Sequence, residues 1–176
     1  FDQRERIGTT EFLGYDTEVA EGRIDAIIVD GALVETASAG TDVALILNQT
    51  PFYAESGGQM GDTGIGFSAG GAEVAISDTK KKVGDLHVHF GVVRVAAIST
   101  ADVLELRVDV ENRNALRANH SATHLLHAAL REVLGDHVTQ KGSLVAPERL
   151  RFDISHPKPV TPEEAIQVEA LVDAQV

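Results

Sequence analysis

Three histidines fall close together in the stretch "RANHSATHLLHAALREVLG" (117–135): His120, His124 and His127. Residues four apart lie on one face of a helix, so His120 and His124 can present two imidazoles to one divalent ion, usually zinc. The intervening "SAT" lacks the glutamate of an H-E-x-x-H zinc peptidase. The spacing leaves two interpretations open, a metal site and a pair of half-buried histidines with satisfied hydrogen bonds. For His127 we expect a supporting or packing role rather than a third ligand.

A glycine-rich stretch, "PFYAESGGQMGDTG" (51–64), contains an aromatic pair, a carboxylate and an amide. Glycines allow a backbone to approach a ligand closely and expose N–H groups to anions. The stretch lacks the G-x-x-x-x-G-K-[ST] pattern of a nucleotide P-loop. It therefore predicts either a substrate-binding loop, in which Gly57 and Gly58 are the candidates, or a tight connection between strands.

Polar side chains follow the histidine stretch at Gln140, Lys141 and Ser143, on a predicted strand that could lie beside the helix. An amide and a hydroxyl near a metal can hold a small polar substrate. Taken singly, each of these residues is typical of a solvated strand. The run "KKK" (80–82) is interpreted as a solvated turn rather than as a nucleic-acid contact.

The predicted secondary structure that positions these residues changes after residue 110, from strands to a helix. Residues 1–110 contain short runs rich in β-branched residues, such as "GRIDAIIVD", "VALILNQ" and "VLELRVDV", separated by turns such as "GDTGIG". This pattern predicts a small barrel or sandwich. In "LHVHF", His87 and His89 should share one strand face, opposite the apolar residues.

Helical periodicity begins near residue 111 and predicts a helix to about 134, with Asp109 as N-cap and Gly135 as the stop. "HVTQKGSLV" and "LRFDIS" predict two strands joined by "APER". A capping box at Thr161 then starts a helix that meets no stop signal before Val176. The predicted organisation is α+β, with a β-barrel domain over 1–110 and an α+β domain over 111–176.

The composition limits the classes of function. The chain has 176 residues, no cysteine and a net charge of −12, and it begins with Phe rather than Met. Disulfides and thiolate metal ligands are thus excluded within this sequence. The charge argues against a free-standing nucleic-acid binder, although residues 113–151 carry six basic and three acidic side chains. No apolar run is long enough for a membrane span, so we expect no membrane or DNA partner and a cytoplasmic location.

Taken in order, "FYAESGGQMGDTG", "NHSATHLLHAAL" and "VTQKGSLVAPERLRFDISH" closely resemble the alanyl-tRNA synthetases, in the region after their aminoacylation and tRNA-recognition domains. The resemblance covers nearly the whole chain. Free-standing trans-editing proteins of the AlaX type share the glycine loop and the H-x-x-x-H helix. The long match through residue 156 and the missing start favour a synthetase fragment.

The resemblance implies a proofreading function. Shape alone separates small side chains poorly, so the family's synthetic site mistakes serine or glycine for alanine, and a second site hydrolyses the mischarged tRNA(Ala). That site carries Zn²⁺ held by H-x-x-x-H and a downstream C-x-x-x-H. His120 and His124 match the first pair, Gln140 matches a pocket residue taken as catalytic, and Gly57 and Gly58 match the substrate-binding loop.

The implied fold is a small barrel followed by an editing core of the type shared by threonyl- and alanyl-tRNA synthetases, truncated at its C-terminus. Only two of the four zinc ligands are in the sequence, so we expect weak or no zinc binding and little deacylase activity from this chain alone. ATP and Mg²⁺ belong to the synthetic domain of the full-length enzyme. Two alternatives stay open: a fragment of a free-standing trans-editing deacylase, and a non-catalytic module that docks the tRNA acceptor end. The oligomeric state is not predicted.

Overall fold

The structure, a computed structural model, describes residues 8–82 and 84–176, so residues 1–7 of the predicted first domain lie outside it. The chain divides into two compact units. The first contains residues up to Ser56 and Met60–Arg113, and the second contains Gly57–Gln59 and Asn114–Val176. The predicted domain boundary after residue 110 stays a prediction. The three loop residues Gly57–Gln59 nevertheless group with the second unit.

The first unit is built from short strands. In chain order they are β1 (Glu11–Phe12), β2 (Val19–Val29), β3 (Ala32–Val34), β4 (Thr36–Ser38), β5 (Asp42–Leu47), β6 (Gln49–Thr50), β7 (Gly64–Ser68), β8 (Glu73–Lys82), β9 (Leu86–Val95), β10 (Ala97–Ser99) and β11 (Val103–Val108).

Six of these strands form a closed antiparallel barrel. The order is β11-β7-β8-β9-β5-β2, and a second pairing of β11 with β2 closes the ring. The barrel core is a cluster of buried aliphatic residues around Phe52, including Ile24, Leu45, Leu104 and Leu106. The predicted α+β class with a small barrel is thereby confirmed. β3 extends the sheet from β2, β4 pairs with β10, and β1 pairs in parallel with β6.

Strand β7 corrects the predicted turn "GDTGIG", because Gly64 and Gly66 lie inside a barrel strand. A Cβ at Gly64 would collide with the carbonyl oxygen of Arg107 and the ring of Phe52. Glycine is therefore needed for close backbone approach rather than for a turn. The run "KKK" is likewise not a turn, since Lys80–Lys82 form the last part of β8.

The alternation in β9 is confirmed. Val88 packs with Ala26 and Ile46 in a cluster that Leu86 and Phe90 complete. His87 and His89 point to the other face of the strand, and both are buried.

The second unit contains most of helix α1 (Val110–Leu134), strands β12 (Thr139–Val145) and β13 (Leu150–Ser155), and helix α2 (Pro162–Asp173). β12 and β13 pair as an antiparallel hairpin with a bulge between Gln140 and Gly142. The core of the unit joins both helices and the hairpin through apolar residues that include Leu130, Val138, Phe152 and Val168.

The ends of the helices follow the predicted signals. The carboxylate of Asp109 accepts a hydrogen bond from Asn112 N at 3.0 Å, and Gly135 after the helix has φ +115°. At α2, Thr161 and Glu164 form the predicted capping box. The helix ends at Asp173, where we expected it to continue. None of the helices in the described part of the chain is both long and apolar enough to cross a membrane.

Candidate functional site

The two histidines four apart on α1 converge on one point. His120 Nε2 lies 3.1 Å from His124 Nε2, and the ring centroids are 5.0 Å apart. Both side chains are exposed. One of the two Nε2 atoms donates a hydrogen to the other, so the accepting Nε2 points its lone pair at its partner.

Gln59 contacts the pair from the far side of the His120 ring. Its Oε1 lies 2.7 Å from His120 Nδ1. An amide oxygen accepts only, so Nδ1 carries the hydrogen and His120 Nε2 uses its lone pair to accept from His124 Nε2. A ligating histidine in a metal site has the same arrangement, with its second nitrogen bonded to a fixed oxygen. Sequence reasoning noted an amide in the glycine loop but did not connect it to His120, from which it is 61 residues away.

Gly58 allows this loop to reach its position. Gly58 O accepts a hydrogen bond from Val145 N at 2.8 Å, and Gln59 forms a parallel bridge with the same residue. A Cβ at Gly58 would lie 2.5 Å from Ser143 O, and its φ of +85° also favours glycine. Gly57 has φ +60° and open space around it. The glycine pair thus fixes Gln59 against β12, while its predicted substrate-binding role stays a prediction.

Asn119 connects the histidine helix to the end of β12. Its side-chain amide donates hydrogen bonds to Ala146 O at 2.7 Å and to Pro147 O at 3.1 Å. Asn119 directly precedes His120, so these bonds help to hold the helix at the level of the histidine pair.

His127, the third histidine of the helix, has a different environment. It is partly buried, its ring centroid lies 5.3 Å from that of Phe152, and its Nε2 is buried without a partner among the described residues. The contact with Phe152 is the packing role expected from the sequence.

Gln140 is exposed on β12, opposite Ile154 of β13. Within residues 8–82 and 84–176, no hydrogen bond joins its side chain to His120 or His124. Its catalytic role therefore stays a prediction.

A second pair of imidazoles lies beside the hairpin, where sequence spacing gave no signal. His137 Nε2 and His156 Nδ1 are 2.8 Å apart, and their rings stack at 5.1 Å. The two residues are brought together because β12 and β13 are antiparallel neighbours. His137 is thus paired with His156.

The donor set fits half of a zinc site. Two nitrogens bound at 2.0–2.1 Å to a tetrahedral ion are about 3.3 Å apart, close to the observed Nε2–Nε2 distance. The Gln59 contact, which leaves no hydrogen on His120 Nε2, also agrees with this interpretation. In the described part of the chain, no group of three or more His, Cys, Asp or Glu residues is arranged to hold a metal. A complete site thus needs ligands from elsewhere.

The first unit has polar side chains buried in its interior, among them Asp62, His89 and Arg113. Arg113 forms a buried ion pair with Asp62, and its guanidinium also donates to Pro51 O at 2.5 Å and Gly14 O at 3.3 Å. His89 is fully buried, with Nε2 2.8 Å from Thr50 Oγ1 and Nδ1 3.2 Å from Leu45 O. Burial lowers the pKa of His89 to about 4.

The chain is similar in sequence to a known family. Residues 2–112 match the family model described as tRNA synthetases class II (A), which covers more than half of the chain, so the chain belongs to this family.

The similarity extends over the whole chain in individual proteins. Alanine–tRNA ligase of Parvibaculum lavamentivorans is 63% identical over 98% of the chain, and that of Rhodopseudomonas palustris is 59% identical over 98%. The ligase of a Chelativorans species is 57% identical over 100% of the chain. The chain spans only 19–20% of the length of these relatives.

Proposed function

We propose that this chain is a region of an alanine–tRNA ligase and that its second unit carries half of an editing site. The editing site would hydrolyse the ester of tRNA(Ala) mischarged with serine or glycine. The observation that carries the proposal is the convergence of His120 Nε2 and His124 Nε2 to 3.1 Å. The relatives at 57–63% identity are ligases, which favours a ligase over a free-standing deacylase.

Residues of the second unit would have two different roles in binding a zinc ion: as ligands and as a hydrogen-bond partner of a ligand. His120 and His124 supply two nitrogen ligands, and Gln59 fixes the tautomer of His120 so that Nε2 faces the ion without a hydrogen. His124 would take the tautomer with its hydrogen on Nδ1 when the ion binds, so that its Nε2 could serve as the second ligand. Zinc, when bound, supplies a Lewis acid that polarises oxygen atoms of water or substrate.

The remaining roles concern the substrate. The amide of Gln140 is proposed to contact the aminoacyl group from β12, and the backbone at Gly57 and Gly58 to approach the tRNA end. ATP and Mg²⁺ would serve a synthetic domain in the rest of the ligase. The cytoplasm, where tRNA is charged, is the proposed compartment.

The function is tested in the full-length ligase by changing both His120→Ala and His124→Ala. We expect loss of Ser-tRNA(Ala) deacylation with normal alanylation, because the ligands belong to the editing site only. The matched control is His137→Ala with His156→Ala, which removes the other imidazole pair of the same unit and should preserve deacylation. If deacylation survives the first double change, the site is wrongly assigned.

Zinc binding by this chain alone should be weak, because two imidazoles fall short of the three or four protein ligands of zinc sites. After dialysis, metal analysis should find far less than one zinc per chain. One bound zinc per chain would contradict this expectation and require further ligands.

A further inference from the structure

The first unit has a surface cavity of about 450 Å³ that the proposed editing function does not use. Its walls carry three aromatic rings and one imidazole, those of Phe12, Tyr15, Tyr53 and His87. Its rim carries hydroxyl groups and the charged pair Lys81 and Asp85. Aromatic rings beside a cation are the combination that binds single-stranded nucleic acids.

One of the rings is free to stack on a ligand. Phe12 is the centre of the group, with its centroid 5.0 Å from Tyr15, 6.0 Å from Tyr53 and 5.6 Å from His87. Tyr15 packs edge-on against Phe12 at 77° and is 84% exposed. One face of the Tyr15 ring is therefore open to solvent. Tyr15 is the most exposed aromatic side chain among the described residues.

The loop that carries Tyr15 is anchored on both sides of this residue. Leu13 N donates to Thr50 O at 2.8 Å, and Arg113 Nη1 donates to Gly14 O at 3.3 Å. Thr17 N donates back to Leu13 O at 3.1 Å. The backbone at Tyr15 is thus ordered before any ligand arrives, which lowers the entropic cost of binding.

The rim supplies a cation. Lys81 Nζ lies 2.8 Å from Asp85 Oδ1, and this contact raises the pKa of the lysine. The ammonium is charged at neutral pH, and the Lys81 side chain is 42% exposed. His87, stacked on Phe12 at 14°, is buried, and burial lowers its pKa, so its ring is neutral there.

We propose that this cavity binds one unpaired nucleobase of an RNA strand, stacked on Tyr15, with the adjoining phosphate at Lys81. The adjacent carboxylate of Asp85 can accept a hydrogen bond from an exocyclic amino group of the base. The inference concerns the first unit and goes beyond the proposed deacylation. The two can therefore fail separately.

The test uses this chain and a short oligoribonucleotide that contains the fluorescent base 2-aminopurine. Stacking on Tyr15 should quench the fluorescence, and Tyr15→Ala should weaken binding about tenfold, as for loss of one stacked base. Tyr15→Phe keeps the ring and should bind within twofold of the unchanged chain. Equal affinity for the alanine variant, or no binding at millimolar chain, would overturn the proposal.

The phosphate contact is tested by a pair of variants with the same change in charge. Lys81→Gln should reduce the slope of log affinity against log salt by about 0.7, the value for one phosphate of a single strand. Lys82→Gln is the control, because Lys82 is exposed on the same strand but does not line the cavity. Equal effects of the two variants would show general charge attraction and contradict a built site. Unchanged thermal unfolding of each variant confirms that the fold is intact.

Discussion

His89 in the barrel and His120 on helix α1 are the same side chain in opposite surroundings. His89 is fully buried, and each of its ring nitrogens has one neutral partner. His120 is exposed, bonded through Nδ1 to Gln59, and directs Nε2 at a second imidazole. Both nitrogens of His89 bond to groups inside the barrel, whereas His120 Nε2 bonds to an exposed imidazole that can itself bind a ligand. In this pair, the buried histidine has a structural role and the exposed histidine is the one that a ligand can reach.

The largest effect should come from the polar interior of the first unit. Asp62→Ala leaves the buried guanidinium of Arg113 without its partner, and losing one partner of a buried ion pair costs about 3–5 kcal/mol. Urea unfolding should show this loss in the free energy of unfolding. The control is Asp136→Ala, which removes an exposed partner of Arg131 and should cost less than about 0.5 kcal/mol. Equal costs for the two changes would contradict the contrast between interior and surface.

Acid should reveal the second largest effect, through His89. Its pKa falls from 6.5 to about 4 on folding. Above pH 6.5 the ring is neutral in both states and its contribution to stability is complete. As the pH falls from 6.5 towards 4, the unfolded chain takes up the proton first, so about 3 kcal/mol of stability is lost.

The variant His89→Gln isolates this acid effect. Its free energy of unfolding should change less between pH 7 and pH 4 than that of the unchanged chain. The double variant His120→Ala with His124→Ala should keep the steep dependence. An unaltered pH dependence in His89→Gln would assign the acid sensitivity to other groups.

A smaller effect is expected at the contact that distinguishes His120. Gln59→Ala removes the hydrogen-bond acceptor of His120 Nδ1, so the His120 ring is no longer held in one orientation. Loss of a hydrogen-bond partner behind a metal ligand lowers metal affinity about 10–100-fold. Zinc affinity is measured in the full-length ligase by competition with a chelator. Gln49→Ala is the control, because Gln49 is also a glutamine bonded through its side chain, to Glu21 O in the first unit. Unchanged affinity in Gln59→Ala would leave the amide with a purely structural role.

The smallest effect on stability is expected from the exposed histidine pair. His120→Ala with His124→Ala should change the free energy of unfolding by less than about 0.5 kcal/mol, because both side chains are exposed. Urea unfolding of this variant beside His89→Gln compares the two kinds of histidine directly. A large destabilisation would show that the exposed pair supports the fold.

The helix that carries the pair was predictable because its signals are local. Asp109 and Gly135 mark its two ends, and the structure places the helix at Val110–Leu134, within one residue of the expected start. The alternation in β9 was predictable for the same reason. Neighbouring residues determine both features.

Contacts distant in sequence were not predictable. The glycines of "GDTGIG" predict a turn, but Gly64 lies in strand β7, where it allows close approach to Arg107 O and Phe52 across the folded barrel. Gln59 was seen as one amide in a loop, and its partner is 61 residues away. His137 and His156 meet through hairpin register. Sequence reasoning thus found the histidine pair but missed the residue that orients it.

The grouping of Gly57–Gln59 with the second unit has a practical consequence for expression of the protein in parts. A gene segment that starts at codon 114 would encode most of α1, the hairpin and α2 but would omit the amide bonded to His120 and the backbone bridge to Val145. Such a product would retain both histidines and lack their orientation. A useful minimal clone must therefore include the loop codons as well, either in the intact order or in a circular permutant that joins them to the helix.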